Sequence, residues 1–481
     1  MRLLAVTLLL VLLSVPLAAQ EKVVTASEPQ AASLTVYNQN FALVREVRTV
    51  DLKEGVNWVR VENVAAQIDP TSVALKGLEL PISLQVREQN YEYDLISPEA
   101  ILRKAIGEQI TVRNVLENGE VQTREGVLLN GEPGQLVMQG RDGVVLQPQG
   151  EISLRELPKG LISRPALTWK LLSDRAGPQR VELSYMTAGM NWVANYVAVV
   201  NEANTKTDLN GWVTLDNGCG ATYEGADLQL IAGDVRRVQP PQPMPMARGG
   251  MMGGAGPGAP QFEEKAFFEY HLYTMTEPTS IRDKETKQLG LLSATDVPVD
   301  KQFIYDGAQT WWHYWSMYRS GQPGAGRDTS DYHKVNVVLE LVNSEANHMG
   351  MPLPKGTVRC YMADEKGRLQ FVGEDEIDHT PRDEKLRLWI GDAFDIVGDH
   401  RRTDFRDLGG STTEEAFEIK VRNHKEDEAI TVHVVEHMAG EWRVLEKSHD
   451  YVEKDAHTVD FPVQVPAGGE TVVTYRVRTE W

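Results

Sequence analysis

Between residues 181 and 238 the chain alternates apolar and polar positions in short runs. Val181, Leu183 and Tyr185 form one run; Trp192, Tyr196, Ala198 and Val200 form the next. Gly211-Trp212-Val213-Thr214-Leu215 and Leu228-Gln229-Leu230 repeat the rhythm, with Gly, Asn and Asp between the runs. Alternation over four to eight residues, broken by turn formers, predicts half-buried antiparallel strands.

The same signal recurs along the chain. Ser33 to Tyr37 is followed by the turn Asn38-Gln39-Asn40, and two further strands are predicted at 41–50 and 56–61, which makes residues 31–90 a small N-terminal β domain. Ser97-Pro98 followed by 99–106 and Gly107 predicts a short helix with Pro in its first turn and Gly at its end. Five closely spaced strands between residues 109 and 157 give residues 91–160 the rhythm of a small SH3-like or OB-like barrel. Residues 161–310 read as a central β-sandwich, interrupted by the Pro, Gly, Ala and Met-rich stretch 239–262, which buries too little surface to offset its ordering entropy. Residues 330–481 carry at least eight more strand signals and read as a C-terminal β-sandwich. The expectation is an all-β, multi-domain protein of antiparallel sandwiches and one small barrel, with few short helices.

Composition places that architecture. The 481 residues suit two to four domains of roughly 100–200 residues each. Met1-Arg2, the apolar run 3–13, Pro16 and Leu17-Ala18-Ala19 have the layout of a secretory signal peptide, residues 1–19, cleaved after Ala19. No apolar run reaches the roughly 20 residues of a membrane-spanning helix, so a soluble periplasmic or secreted chain without a transmembrane segment is expected. Losing Arg2 with the leader takes the net charge from −20 to −21, a balance that repels nucleic acid and anionic membrane surfaces. Cys219 and Cys360 are the only cysteines. They can pair, closing a loop worth up to about 4–5 kcal/mol, or remain two buried thiols.

Several phrases together resemble a known group. Tyr37-Asn38-Gln39-Asn40-Phe41-Ala42-Leu43-Val44-Arg45, Trp192 with Tyr196, residues 211–217 and 226–234, and Tyr270-His271-Leu272-Tyr273 are among them. Lys287-Gln288-Leu289, Pro352-Leu353-Pro354-Lys355-Gly356 and residues 418–423 complete the set. On these the chain resembles an uncharacterised bacterial family of exported β proteins carrying a domain of unknown function, similar to the mucoidy inhibitor A group. It departs from that group in lacking long coiled-coil segments. The resemblance implies a β-rich protein of the cell envelope and brings no catalytic motif with it.

Candidate chemistry is sparse. His433-Val434-Val435-Glu436-His437 has the spacing of inverted zinc peptidases, which need a helix to bring both histidines to one metal. Its β-branched neighbours predict a strand, on which the histidines stand about 13 Å apart at roughly 3.3 Å per residue, so no metal site is expected. Met244, Met246, Met251 and Met252 offer thioethers for Cu(I), but no His or Cys stands near to complete a site. Trp311, Trp312, Tyr314, Trp315 and Tyr318, with His313 among them, form the densest aromatic cluster. They can stack on a sugar or anchor a partner, or equally form a strand packed on both faces, the reading favoured by the need to fill a core. The final strand ends on Trp481, as outer-membrane barrels often do, but its predecessors lack a lipid-facing apolar row and a closing sandwich strand is expected. No nucleophile motif, P-loop or Rossmann glycine pattern occurs in a suitable context, and with 69 acidic residues a cluster such as Glu374-Asp375-Glu376 is expected by chance. The sequence therefore points to a non-enzymatic binding or scaffold module for an envelope protein or glycan, with no cofactor. The competing reading is a hydrolase of envelope glycans or peptides using carboxylates in an inter-domain cleft.

Overall fold

Each alternating run around residue 181 becomes a long strand: Gly177–Ala188, Met190–Val200, Lys206–Asn217 and Tyr223–Ala232. The computed structural model describes residues 23–79, 84–116, 119–233, 235–237, 261–307, 332–364 and 366–481. The leader, the four methionines and the aromatic cluster Trp311, Trp312, Tyr314, Trp315 and Tyr318 lie outside these residues. Among the described residues nearly everything regular is β, and the single α-helix is Pro98–Lys104. Ser97 caps it: its Oγ accepts from the Ala100 amide at 3.0 Å, as the Ser-Pro start predicts.

Strand pairing redraws the expected boundaries. Ala31–Tyr37 and Phe41–Leu52 do not make a domain of their own. They continue one sheet with Gly177–Ala188 and Tyr223–Ala232, the order running Phe262–Phe267, Tyr270–Met275, Tyr223–Ala232, Ala31–Tyr37, Phe41–Leu52, Gly177–Ala188, Ala74–Gly77. A second sheet of Glu285–Pro298, Lys206–Asn217, Met190–Val200, Gly356–Ala363 and Leu369–Ile377 faces it. Trp192 on the second sheet crosses the core and donates from its indole Nε1 to the Val36 carbonyl of the first at 3.1 Å. One apolar core therefore runs from Ala26 to Leu388, spanning three of the expected domains. Alternation reports which face of a strand is buried, not which distant strand covers it.

The sheets are also mixed, not purely antiparallel. Ala31–Tyr37 runs parallel to Tyr223–Ala232, Met190–Val200 to Gly356–Ala363, Asp300–Tyr305 to Ile430–His437, and Val23–Thr25 to Gly55–Glu62. The five strands expected as a barrel between 109 and 157 all form, but in an open antiparallel sheet whose outer strands, Gly143–Leu146 and Glu151–Leu154, do not meet. Its core is small: Ala105, Ile110, Val112, Leu128 and Met138.

The C-terminal sandwich is one nine-stranded sheet folded on itself through the long strand Lys385–Gly409, which pairs first with Lys334–Val342 and then with Thr412–Asn423. Phe417, Phe461 and Tyr475 stack in its interior, with ring centroids 5.2 and 5.6 Å apart. Glu470–Glu480, the strand that ends beside Trp481, lies inside the sheet between Thr412–Asn423 and Glu441–Lys447. No helix among the described residues is long and apolar enough to cross a membrane.

Candidate binding site

Three groups from the sequence can be placed, and none assembles a reaction centre. Ile430–His437 is a strand, with Val432, Val434 and Glu436 inward and His433 and His437 outward. The two histidines are held by different carboxylates: His433 Nδ1 lies 2.9 Å from Asp460 Oδ2, and His437 Nε2 lies 2.9 Å from Asp306 Oδ2. Glu436, on the other face, lies 3.2 Å from His400 Nε2 and accepts from the Tyr475 hydroxyl at 2.6 Å, joining the two layers of the sandwich.

The disulfide is ruled out by register. Cys360 stands opposite Ala198, whereas Asn217, two residues before Cys219, stands opposite Met190 at the far end of the same strand. Eight residues at about 3.3 Å each separate the two places by roughly 26 Å, far beyond the roughly 7 Å that a disulfide spans between Cα atoms. Both thiols are buried and free, and burial pushes that of Cys360 up to about 12.

A hydrolase requires a cleft lined by carboxylates that are free to act. A cavity of about 350 Å³ is lined by Glu28, Asn63, Arg164, Thr222 and Asp283 among others. Its acids are already engaged: Glu28 accepts from the Asn63 amide at 2.7 Å, and Asp283 from the Gly220 amide at 3.0 Å. The chain also holds a fully buried ion pair. Arg48 donates from Nε and Nη2 to Glu46 Oε2 at 2.9 and 2.7 Å. Burial raises the Glu46 carboxyl above its ordinary range, against the lowering by Arg48. Tyr185 donates to the same carboxylate at 3.4 Å, so the group is enclosed on every side that matters for solvent access.

A different site emerges where the second sheet meets the C-terminal sandwich. A cavity of about 220 Å³ is walled by Val200, Val337, Leu339, Met362, Val372 and Ile390, with Asn204, Lys301 and Asp392 at its polar points. Two β-bulges build it. In the ladder between Gly356–Ala363 and Leu369–Ile377, Cys360 faces Gly373 and Tyr361 faces Phe371, which leaves Val372 as the extra residue. Between Lys334–Val342 and Lys385–Gly409, Val337 faces Gly391 and Val338 faces Trp389, which leaves Ile390 extra. Bulges turn side chains out of their regular alternation, and here both apolar extras turn into one cavity. The bulges abut so closely that a Cβ on Gly373 would overlap the Ile390 carbonyl, which is why glycine occupies that position.

Lys301 sits on Asp300–Tyr305, opposite Leu339, and is half-buried. Its ammonium lies 5.3 Å over the Phe303 ring. Among the described residues it makes no ion pair, although the chain has 20 more acids than bases. Two acids in its surroundings are committed elsewhere: Asp392, on the same cavity, takes Lys334 at 2.7 Å and Asn336 at 2.9 Å, and Glu428, whose charge acts on Lys301, takes Lys425 at 2.6 Å. Burial and the like charge of Lys425 hold the Lys301 amine below the ordinary lysine range. Phe371, 56 % exposed, and Trp389, 53 % exposed, adjoin the bulge residues in the chain but face away from the cavity, Phe371 standing opposite Tyr361 and Trp389 opposite Val338.

None of these residues was singled out by sequence reasoning. Isolated glycines inside strand patterns, Gly373 and Gly391, are the signal that marks bulges and close backbone approach. Nothing in the sequence marks Lys301, because the lack of a counter-ion is a property of the assembled fold. Compared with known proteins, the chain matches no family model and no curated protein.

Proposed function

We propose that this chain is an exported, non-enzymatic binding module of the bacterial envelope that takes its ligand at the bulge-built cavity around Lys301. One observation carries the reading: a half-buried cation that makes no ion pair among the described residues lines a mostly apolar cavity whose wall residue Val372 reaches the surface. Ligand sites are concave and largely apolar, with a few placed polar groups. The leader and the resemblance to exported β proteins support the compartment. The lining, poor in hydrogen-bond donors, favours an apolar ligand over a glycan. The hydrolase reading loses ground because Glu28, Asp283, Asp460 and Glu436 are each held by structural partners.

The test is retention of native envelope components, analysed separately as lipid, glycan and protein. Wild type is compared with a Lys301→Met/Val372→Ser variant, altered at two cavity-lining residues, whose thermal unfolding is unchanged. A component kept by wild type and lost by the variant is the expected result. Equal retention by both, or cleavage of an envelope glycan or peptide by the purified chain, overturns the reading.

A further inference from the structure

We infer that the ligand of this cavity is an anionic amphiphile, a single molecule with an apolar chain and a carboxylate or phosphate head, whose head meets Lys301. The inference rests on the binding-module reading and gives it a ligand class.

Charge selects the head. A buried or half-buried ammonium loses hydration that must be replaced, and in folded proteins a carboxylate or similar anion usually replaces it. At Arg48 the chain supplies that anion itself, as Glu46. At Lys301 it supplies no ion pair among the described residues: Glu428 acts on it from a distance and is held by Lys425, and Asp392 on the same cavity is already neutralised by Lys334. Lys425, whose ammonium lies 5.2 Å from the Phe303 ring centroid, is itself paired with Glu428 at 2.6 Å. An incoming anion therefore meets the ammonium of Lys301.

Shape and lining select the tail. The cavity of about 220 Å³ is smaller than the roughly 300–1,000 Å³ of sites that enclose a whole drug-sized ligand. It accommodates part of a ligand, and the remainder must leave by a surface that is itself apolar. Val372, 39 % exposed, belongs to both the wall and the surface. A flexible alkyl chain fits a narrow apolar cavity that opens beside such a side chain. A sugar would leave its hydroxyls facing Val337, Leu339 and Ile390 without partners, a penalty that excludes it from the inner part of the site. The net charge of −20 repels an extended anionic membrane surface, but not one anion delivered to a local cationic point.

The experiment is calorimetric titration of the full chain with four probes of equal alkyl length, each below its micelle concentration: dodecanoate, dodecyl phosphate, dodecyl maltoside and dodecyltrimethylammonium. Both anions are expected to bind and the cation is not. Lys301→Met is expected to weaken the anions at least tenfold while leaving the maltoside unchanged, and Lys301→Arg to restore most of the loss. Preference for dodecanoate identifies a free fatty acid as the source, and preference for dodecyl phosphate identifies a phospholipid head; either supports the inference. Equal affinity for dodecyl maltoside, or anion binding indifferent to Lys301→Met, overturns it. So does retention of an envelope protein or glycan that the Lys301→Met/Val372→Ser variant loses, with no probe binding, a result that leaves the binding-module reading standing.

Discussion

Arg48 and Lys301 are two cations withdrawn from solvent, and they show opposite solutions to the same problem. Arg48 is closed in by Glu46 and by the Ser27 carbonyl at 3.2 Å, and Glu46 in turn by the hydroxyl of Tyr185. Nothing is left for a ligand to contribute. Lys301 stands on a strand with apolar walls around it, one aromatic ring below it and its neighbouring acids bonded to other groups. The first arrangement is complete and therefore structural. The second is incomplete among the described residues, and it is the incompleteness that points to binding.

The contrast is sharpest in what removal of each charge does to stability. Arg48→Met leaves the Glu46 carboxylate buried without its partner and is expected to cost about 3–5 kcal/mol, the range for breaking a buried pair from one side. Urea unfolding followed by circular dichroism measures it; a loss below about 1 kcal/mol means that Glu46 has found another partner or water. Replacing both together, as Glu46→Leu/Arg48→Met, is expected to cost less than the single change, because no orphaned charge remains.

Gly373 probes the frame of the cavity instead of its charge. Gly373→Val forces a side chain against the Ile390 carbonyl and must separate the two bulges, at about 1–3 kcal/mol for an overpacked site. The same variant is expected to lose dodecanoate binding, read by calorimetry. Wild-type affinity in this variant contradicts the placement of the ligand between the bulges.

A third measurement separates the cavity from the histidine-bearing face of the C-terminal sandwich. Burial alone would raise the Asp460 carboxyl, but hydrogen bonds from His433 and Lys454 outweigh it and hold the group below its ordinary range. A carboxyl lowered in the folded state binds fewer protons than in the unfolded chain. Its contribution is therefore complete above the ordinary aspartate value of about 3.9 and is lost as pH falls through that value towards the lower folded one. Asp460→Asn is expected to cost about 1–2 kcal/mol at pH 7 and to flatten this acid limb, measured by urea unfolding between pH 3 and pH 7. An acid limb as steep as that of wild type removes Asp460 as its source. Dodecanoate affinity is expected to stay unchanged in this variant, since the site lies elsewhere.

The smallest stability effect belongs to the residue that matters most for binding. Lys301→Met removes no ion pair among the described residues and is expected to change stability by no more than about 0.5 kcal/mol. A large loss would show that Lys301 is a structural group like Arg48.

These residues also mark how far the sequence could be read. The strands around Tyr185, Trp192 and Leu215 and the helix after Ser97 were legible because local periodicity and capping chemistry encode them directly. The partners of those strands were not, because Leu34 lies beside Leu228 and Ala198 beside Cys360 across long stretches of chain that no local pattern specifies. The same long-range register keeps Cys219 and Cys360 apart. The zinc-like spacing at His433 was correctly legible as a strand, whereas the bulges at Val372 and Ile390 left only their glycines as a trace. An absent counter-ion leaves no trace at all, so Lys301 could be found only in the assembled fold.

The direct test of this account is titration of the Lys301 side chain by NMR, following its Cε and Nζ resonances in the full chain with and without dodecanoate. In the free protein the amine is expected to titrate below the ordinary lysine value of about 10.4, and saturating dodecanoate is expected to move it upward as the carboxylate takes the place of the missing counter-ion. A Lys301 that titrates at its ordinary value, or one that does not respond while dodecanoate saturates the protein, contradicts the account.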